Sequence, residues 1–189
     1  MKIRKAKICF ERGNKKLKMK PKYTIYLIPE LKDRNKISNL RSKMCKLCHT
    51  TQSLQYPVHI SLASGTIIKD YSKFEKELKE FCKKQKPFTL LASKNTTVLP
   101  DRFWTGITIK NSKKLSDFKN KIELIKNKNS IKSKKMYFVP HITLAFPAKV
   151  DDIKPLKNPV AKLTFNKITV VRKEKDGKPY RVYKHYNLK

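Results

Sequence analysis

Apolar residues recur along the chain in two periods, and the switches between them outline its elements. Residues 24–29 alternate in steps of two and predict a β-strand with Thr24, Tyr26 and Ile28 on one face. Ile37, Leu40, Met44 and the Leu47/Cys48 pair then fall at helical spacing, and residues 56–68 turn β-rich again. In the next helix, Ser72 and Glu75 read as a capping box; Phe74, Leu78, Phe81 and Cys82 line one side until Pro87 stops it. Residues 88–92 and 103–109 read as strands around a turn at Pro100-Asp101. Ser112 is placed to cap a third helix with the stripe Leu115, Phe118, Ile122 and Ile125. The Lys/Asn/Ser-rich residues 126–135 read as a solvated loop, 136–146 as a strand, and 151–159 as a polar connection. Residues 163–171 and 180–186 flank Asp176-Gly177, a hairpin turn that needs positive φ.

Strand–helix–strand order recurs in the two halves, and one short stretch recurs with it. Pro57-Val58-His59-Ile60-Ser61-Leu62-Ala63 matches Val139-Pro140-His141-Ile142-Thr143-Leu144-Ala145. Two similar halves facing each other predict a bilobal, duplicated α+β fold: two antiparallel sheets, helices outside, and a central groove between them. Residues 1–22 are expected to form a basic arm or a short hairpin turning near Gly13-Asn14, and residues 23–189 a single domain of two pseudo-symmetric lobes.

Composition changes the picture chiefly through charge. The 189 residues carry 47 Lys+Arg against 14 Asp+Glu, a formal charge of +33, which points to a polyanionic partner such as RNA or an oligonucleotide. The lysines are dispersed, so charge alone does not locate a site. No stretch resembles a signal peptide or a membrane span; the expectation is an intracellular, cytoplasmic monomer with no membrane partner and reduced thiols at its four cysteines.

The repeated stretch carries the chemistry. Side chains alternate across a strand, so His59 and Ser61 share one face while Val58, Ile60 and Leu62 take the other; His141 and Thr143 do the same against Ile142 and Leu144. An imidazole titrates near neutrality, and a hydroxyl can bond a phosphate oxygen. One His-x-Ser pair alone is more often an ordinary half-buried hydrogen bond. Two copies in matched aliphatic settings supply a general base, a general acid and a phosphate cradle, enough for phosphodiester cleavage without a metal or cofactor.

At these residues the chain resembles the 2H phosphoesterase superfamily, which includes 2′-5′ RNA ligase-like proteins and RNA 2′,3′-cyclic phosphodiesterases. The resemblance implies His59 and His141 as the acid–base pair, and Ser61 and Thr143 as phosphate-binding hydroxyls. It implies substrates with a 2′-linked phosphate: RNA 2′,3′-cyclic phosphate, 2′-5′ oligoadenylate or a 2′-linked cyclic dinucleotide. Many relatives place a basic residue near the position of Phe146; here Phe146-Pro147 stand there, and Lys149, Arg102 and Arg181 are the candidate counter-charges. Tyr26, Trp104, Phe146 and Tyr183 are the candidates for stacking a base. Two alternatives stay open: a catalytically weak RNA-binding module, and a viral enzyme that degrades a host 2′-linked immune messenger.

Other patterns carry less. Cys45-Lys46-Leu47-Cys48-His49 matches the haem-attachment spacing, but no export signal accompanies it, and zinc would need Cys9 or Cys82 as a fourth ligand. Cys45 and Cys48 read as small core residues. With four glycines the chain has no glycine-rich phosphate loop; Asp151-Asp152 reads as a solvated pair, and His185 has no catalytic context.

Overall fold

The computed structural model describes residues 20–98, 104–132, 138–147, 153–174 and 181–189. Residues 1–19 of the expected N-terminal arm, the Pro100-Asp101 and Asp176-Gly177 turns, and Asp151-Asp152 lie outside the described residues, while Lys22, the arm's last expected residue, opens the first strand.

The alternating and helical patterns become β1 (Lys22–Pro29), α1 (Leu31–Leu47), a 3-10 turn (Gln52–Gln55), β2 (Ile60–Ile68) and α2 (Tyr71–Lys83). There follow β3 (Phe88–Leu91), β4 (Thr97–Val98), β5 (Thr105–Thr108), α3 (Lys113–Asn129), β6 (Ser130–Lys132), β7 (His141–Ala145), β8 (Lys162–Lys173) and β9 (Arg181–Asn187). Two antiparallel sheets result. The larger runs β3-β8-β1-β2-β6 with β9 also on β8, and the smaller runs β4-β5-β7. The expected α+β architecture of two antiparallel sheets is what forms.

The helices are exchanged between the sheets. α1 leaves the larger sheet at the end of β1 yet lies against β7 of the smaller one, whereas α3 leaves the smaller sheet after β5 and lies against β2 of the larger. α2 packs on α3 and reaches β9. Each lobe is therefore closed by a helix from the other half. A single apolar cluster runs through both, from Ile37, Met44, Ile107 and Ile142 to Leu78, Ile122, Phe165 and Ile168. Burial of this continuous surface is the main force holding the lobes together.

Three local expectations are corrected. α2 is capped by Asp70, whose carboxylate accepts from the Lys73 amide at 3.0 Å, and Ser72 lies inside the helix. The chain is still extended at Asp70, so its oxygen reaches the third helical amide before Ser72 is in position to do so. Residues 126–135 are not wholly a loop: α3 runs on to Asn129, which is buried and donates to the Ile125 carbonyl at 2.8 Å, and β6 then pairs with β2. Lysine stems can lie along apolar surface, so a polar composition did not stop the helix. Leu47, placed on the α1 stripe beside Cys48, is 51% exposed; the buried side turns through Arg41 and Cys45 instead.

β2 contains two bulges. Between Thr66 and Ala63, and again between Ala63 and Ser61, it advances one residue more than β1 does opposite. Gly65 sits at the first with φ +60, a backbone region that L side chains rarely enter, and its amide is held by Thr24 Oγ1 at 3.1 Å. The second leaves Leu62 and Ala63 both buried and brings Ser61 opposite Tyr26.

Candidate active site

His59 stands immediately before β2, and His141 is the first residue of β7. β2 and β7 approach each other, and the two imidazoles are close enough for the charge of His141 to act on His59. Val58, Ile60, Leu62, Ile142 and Leu144 are all buried, while His59, Ser61, His141 and Thr143 are half-buried. The alternation expected of a strand is realised in both stretches.

The two imidazoles are held alike. Each Nδ1 lies 2.7 Å from the carbonyl two residues earlier, that of Pro57 for His59 and that of Val139 for His141. A carbonyl only accepts, so Nδ1 carries the hydrogen and Nε2 is the basic nitrogen in both rings. His59 Nε2 is 3.2 Å from Ser61 Oγ. Burial pushes the His59 pKa down to about 4; the Pro57 hydrogen bond opposes this, while the charges of Arg41 and His141 add to it. At neutral pH His59 is an uncharged base.

The other expected residues are distributed unevenly around this pair. Tyr26 lies face to face with His59, centroids 3.6 Å apart, and is 4% exposed. Its π-face is occupied by the imidazole, so it supports the histidine instead of receiving a base. Trp104 stands edge-on to His141 at 6.2 Å and packs on Phe146 at 4.3 Å, so this half-buried aromatic pair does flank the second motif. Tyr183 is elsewhere. It meets Tyr23, Tyr71 and Arg172 on the helix-covered side of the larger sheet, because Tyr23 and Tyr26 alternate to opposite faces of β1. Arg181 is the cross-strand partner of Arg172 and so falls on that side too. Arg102 and Lys149 lie outside the described residues.

Sequence reading passed over Arg41, Thr50 and Ser53. Arg41 is buried in α1, and its Nη1 donates to the carbonyls of Tyr56 at 2.6 Å and Ser53 at 3.3 Å. An arginine between Ile37 and Met44, at the spacing of the apolar stripe, was the available signal: a buried cation there needs partners. A groove of about 380 Å³ runs beside the first motif, with Arg34, Ser38, Arg41, Tyr56, Pro57 and Val58 among its walls. Cys45 and Cys48 are buried in the core, and His49 is exposed just past the helix with φ 48. Among the described residues no three His, Cys, Asp or Glu side chains group as metal ligands. None of the described helices is long and apolar enough to cross a membrane.

The sequence profile of the 2′-5′ RNA ligase superfamily matches residues 29–177, which include both histidine motifs. The chain belongs to that superfamily. It is thereby one of the 2H phosphoesterases that the paired motifs resemble. Its fold is that of E. coli LigT: the structure with 3′-AMP aligns at a TM-score of 0.63 and 19% identity, covering 90% of this chain and 99% of that one. LigT with NADP+ aligns at 0.64 and 16% identity over the same shares, 90% and 99%. The protein TT0787 of Thermus thermophilus aligns at 0.66 and 14% identity, covering 88% of this chain and 97% of that one. No curated protein sequence matches the chain.

Proposed function

We propose that this 2H phosphoesterase hydrolyses 2′-linked phosphodiesters of RNA or signalling oligonucleotides without a metal, with His59 and His141 as its acid–base pair. The observation that carries the reading is the matched lock on the two imidazoles, each with Nδ1 tied to a backbone carbonyl and Nε2 left to exchange protons. Two such groups supply both proton transfers of phosphodiester cleavage, so none is left for a metal-bound water to perform.

On a terminal 2′,3′-cyclic phosphate, Nε2 of His59 takes a proton from water, and the water oxygen bonds to phosphorus. The bond from phosphorus to the departing ribose oxygen breaks, and His141 gives that oxygen a proton. Thr143 and Ser61, whose hydroxyl turns from His59 Nε2 to the substrate, donate to the non-bridging oxygens, where negative charge builds. His59 is assigned the base because it is uncharged at neutral pH. Ligation is the same step with a ribose hydroxyl of a second strand in place of water, deprotonated by the same base, while the same ring P–O bond breaks. Dilute water favours hydrolysis.

A formal charge of +33 supports a polyanionic substrate, and the complex of LigT with 3′-AMP supports a nucleotide ligand. Trp104 and Phe146 offer a surface for a base beside His141. Arg102 and Lys149 are the proposed counter-charges to the phosphate. Turnover in EDTA of 2′,3′-cyclic-phosphate RNA, 2′-5′ oligoadenylate and a 2′-linked cyclic dinucleotide tests the proposal and ranks the substrates. Equal rates for the wild type and the His59→Ala, His141→Ala double variant would refute it and favour an RNA-binding role.

A further inference from the structure

The segment from Thr50 to Pro57, which contains the 3-10 turn, touches both histidine motifs. On one side it is fastened to β7 and the residue after it. Thr50 Oγ1 donates to the Phe146 carbonyl at 2.9 Å, and Ser53 Oγ donates to the Leu144 carbonyl at 2.7 Å, one residue beyond Thr143. The Cys45 thiol from α1 joins the same junction, 3.0 Å from Ser53 Oγ and 3.4 Å from the Leu144 carbonyl. On the other side the segment ends at Pro57, whose carbonyl orients His59. Arg41 closes the span from within by donating to the carbonyls of Ser53 and Tyr56.

The chemistry of this connection is unusual for mere packing. Arg41 is 5% exposed and Ser53 is 6% exposed. A hydrophobic side chain on that helix face would avoid the cost of desolvating a guanidinium. What a hydrophobe cannot do is donate to these carbonyls: that of Ser53 accepts from the Tyr56 amide at 3.3 Å, and Arg41 adds a side-chain donor that ties it to the Tyr56 carbonyl. The fixed carbonyls run straight into the one that sets the His59 ring. Hydrogen bonds, linked through the backbone at Tyr56-Pro57 and through Ser53 itself, thus join His59 to β7 by way of Pro57, Tyr56, Arg41, Ser53 and Leu144.

We propose that Arg41 and Ser53 are positioning residues that set His59 against His141, with Thr50 as a second fastening of the same bridge. Neither Arg41 nor Ser53 is given a proton-transfer role. The two histidines lie on different sheets, so their separation depends on how the lobes are joined, and displacement of reacting groups by about 1 Å can cost ~10²-fold in rate. The groups acting on the His59 imidazole are the Pro57 carbonyl and the Ser61 hydroxyl, Arg41 from α1, His141 from β7 and the ring of Tyr26 from β1.

The bridge rests on the proposed catalytic reading for its kinetic consequence but not for its geometry, so both are measured. Ser53→Ala and Thr50→Val are expected to lower kcat by ~10-fold with KM within about twofold, and Arg41→Gln to lower it by ~10²-fold. Arg41→Lys is expected to recover part of that loss, since an ammonium can still reach the Tyr56 carbonyl. Imidazole ¹⁵N NMR supplies the readout that needs no turnover. In Arg41→Gln the His59 Nδ1–H exchanges faster and its pKa moves up from about 4, because an opposing charge is gone. Asp70→Ala, a cap of α2 remote from the bridge, is the control for general destabilisation. If Arg41→Gln does not fold, Ser53→Ala and Thr50→Val carry the test.

Wild-type imidazole signals in the bridge variants would overturn the proposal, as would a kcat loss in Asp70→Ala equal to theirs. A wild-type protein with no turnover, but with altered His59 signals in the variants, would reject the catalytic reading and leave the bridge standing.

Discussion

The rings of Tyr26 and His59 lie face to face, with centroids 3.6 Å apart and planes inclined by 20°. The contact follows from register. Tyr26 pairs with Ser61 across β1 and β2, so its side chain emerges on the face that His59 and Ser61 share, directly beneath the imidazole. Removing the platform with Tyr26→Leu is expected to lower kcat by ~10-fold, whereas Tyr26→Phe keeps it within about threefold. Steady-state kinetics on the best of the three substrates checks both.

The pH profile is expected to carry the mark of a buried base. His59 loses its function when protonated, so activity falls as pH drops through about 4, well below the ordinary histidine value of 6.5. Stability has the same sign. The folded pKa is below the unfolded one, so the unfolded chain takes this proton first. The histidine's contribution is intact above pH 6.5 and is lost progressively between 6.5 and about 4. A kcat/KM profile and thermal melts across about pH 4–8 test the two parts separately.

The hydroxyls are expected to matter at the transition state more than in binding. Ser61→Ala and Thr143→Val are predicted to lower kcat by ~10–10²-fold with small changes in KM, since each removes a donor to oxygens that gain charge during the reaction. His59→Ala and His141→Ala are predicted to cost ~10²–10⁴-fold each. A large rise in KM at constant kcat for the hydroxyl variants would contradict their assigned role.

The groove beside the first motif is expected to favour longer substrates. Arg34 lines it together with Pro57 and Val58, the two residues that lead into His59. Arg34→Gln is predicted to raise KM for an oligonucleotide several-fold and to reduce the salt dependence of binding by about one charge. A cyclic mononucleotide should be unaffected. An equal effect on both substrates would show that Arg34 does not contact the extended strand.

The joint core is expected to fail as one unit. Ile122 of α3 is fully buried in the cluster that spans both sheets, so Ile122→Ala is predicted to cost about 2–5 kcal/mol. Asp70→Ala should cost about 1 kcal/mol through loss of the α2 cap. Denaturant unfolding monitored at Trp104 in the smaller lobe and by far-UV circular dichroism should give a single transition for each variant. Two separate transitions would mean that the lobes unfold independently.

Much of the fold was readable because its signals are local. The pairing of each histidine with a hydroxyl two residues on, and the aliphatic residues behind them, is written in a period that any strand imposes. The α3 stripe of Leu115, Phe118, Ile122 and Ile125 and its Ser112 cap were legible for the same reason. Local signals also misled where a competing group stood nearby: Asp70 took the cap that Ser72-Glu75 suggested, and the lysine-rich end of α3 hid Asn129 and β6.

The sequence by itself determined which residues share a face and that two such faces exist. That follows from steric alternation along one chain, where a residue's neighbours in sequence are its neighbours in space. Only the tertiary structure decided what those faces meet. It set Tyr26 under His59, sent Tyr183 and Arg181 to the far side of the sheet, exchanged α1 and α3 between the lobes, and placed Arg41 and Ser53 between the motifs. Ser53 and Leu144 are 91 residues apart in the chain and 2.7 Å apart in the fold. Such a contact depends on bulges, register and the packing of the whole core, and no short stretch of sequence encodes it.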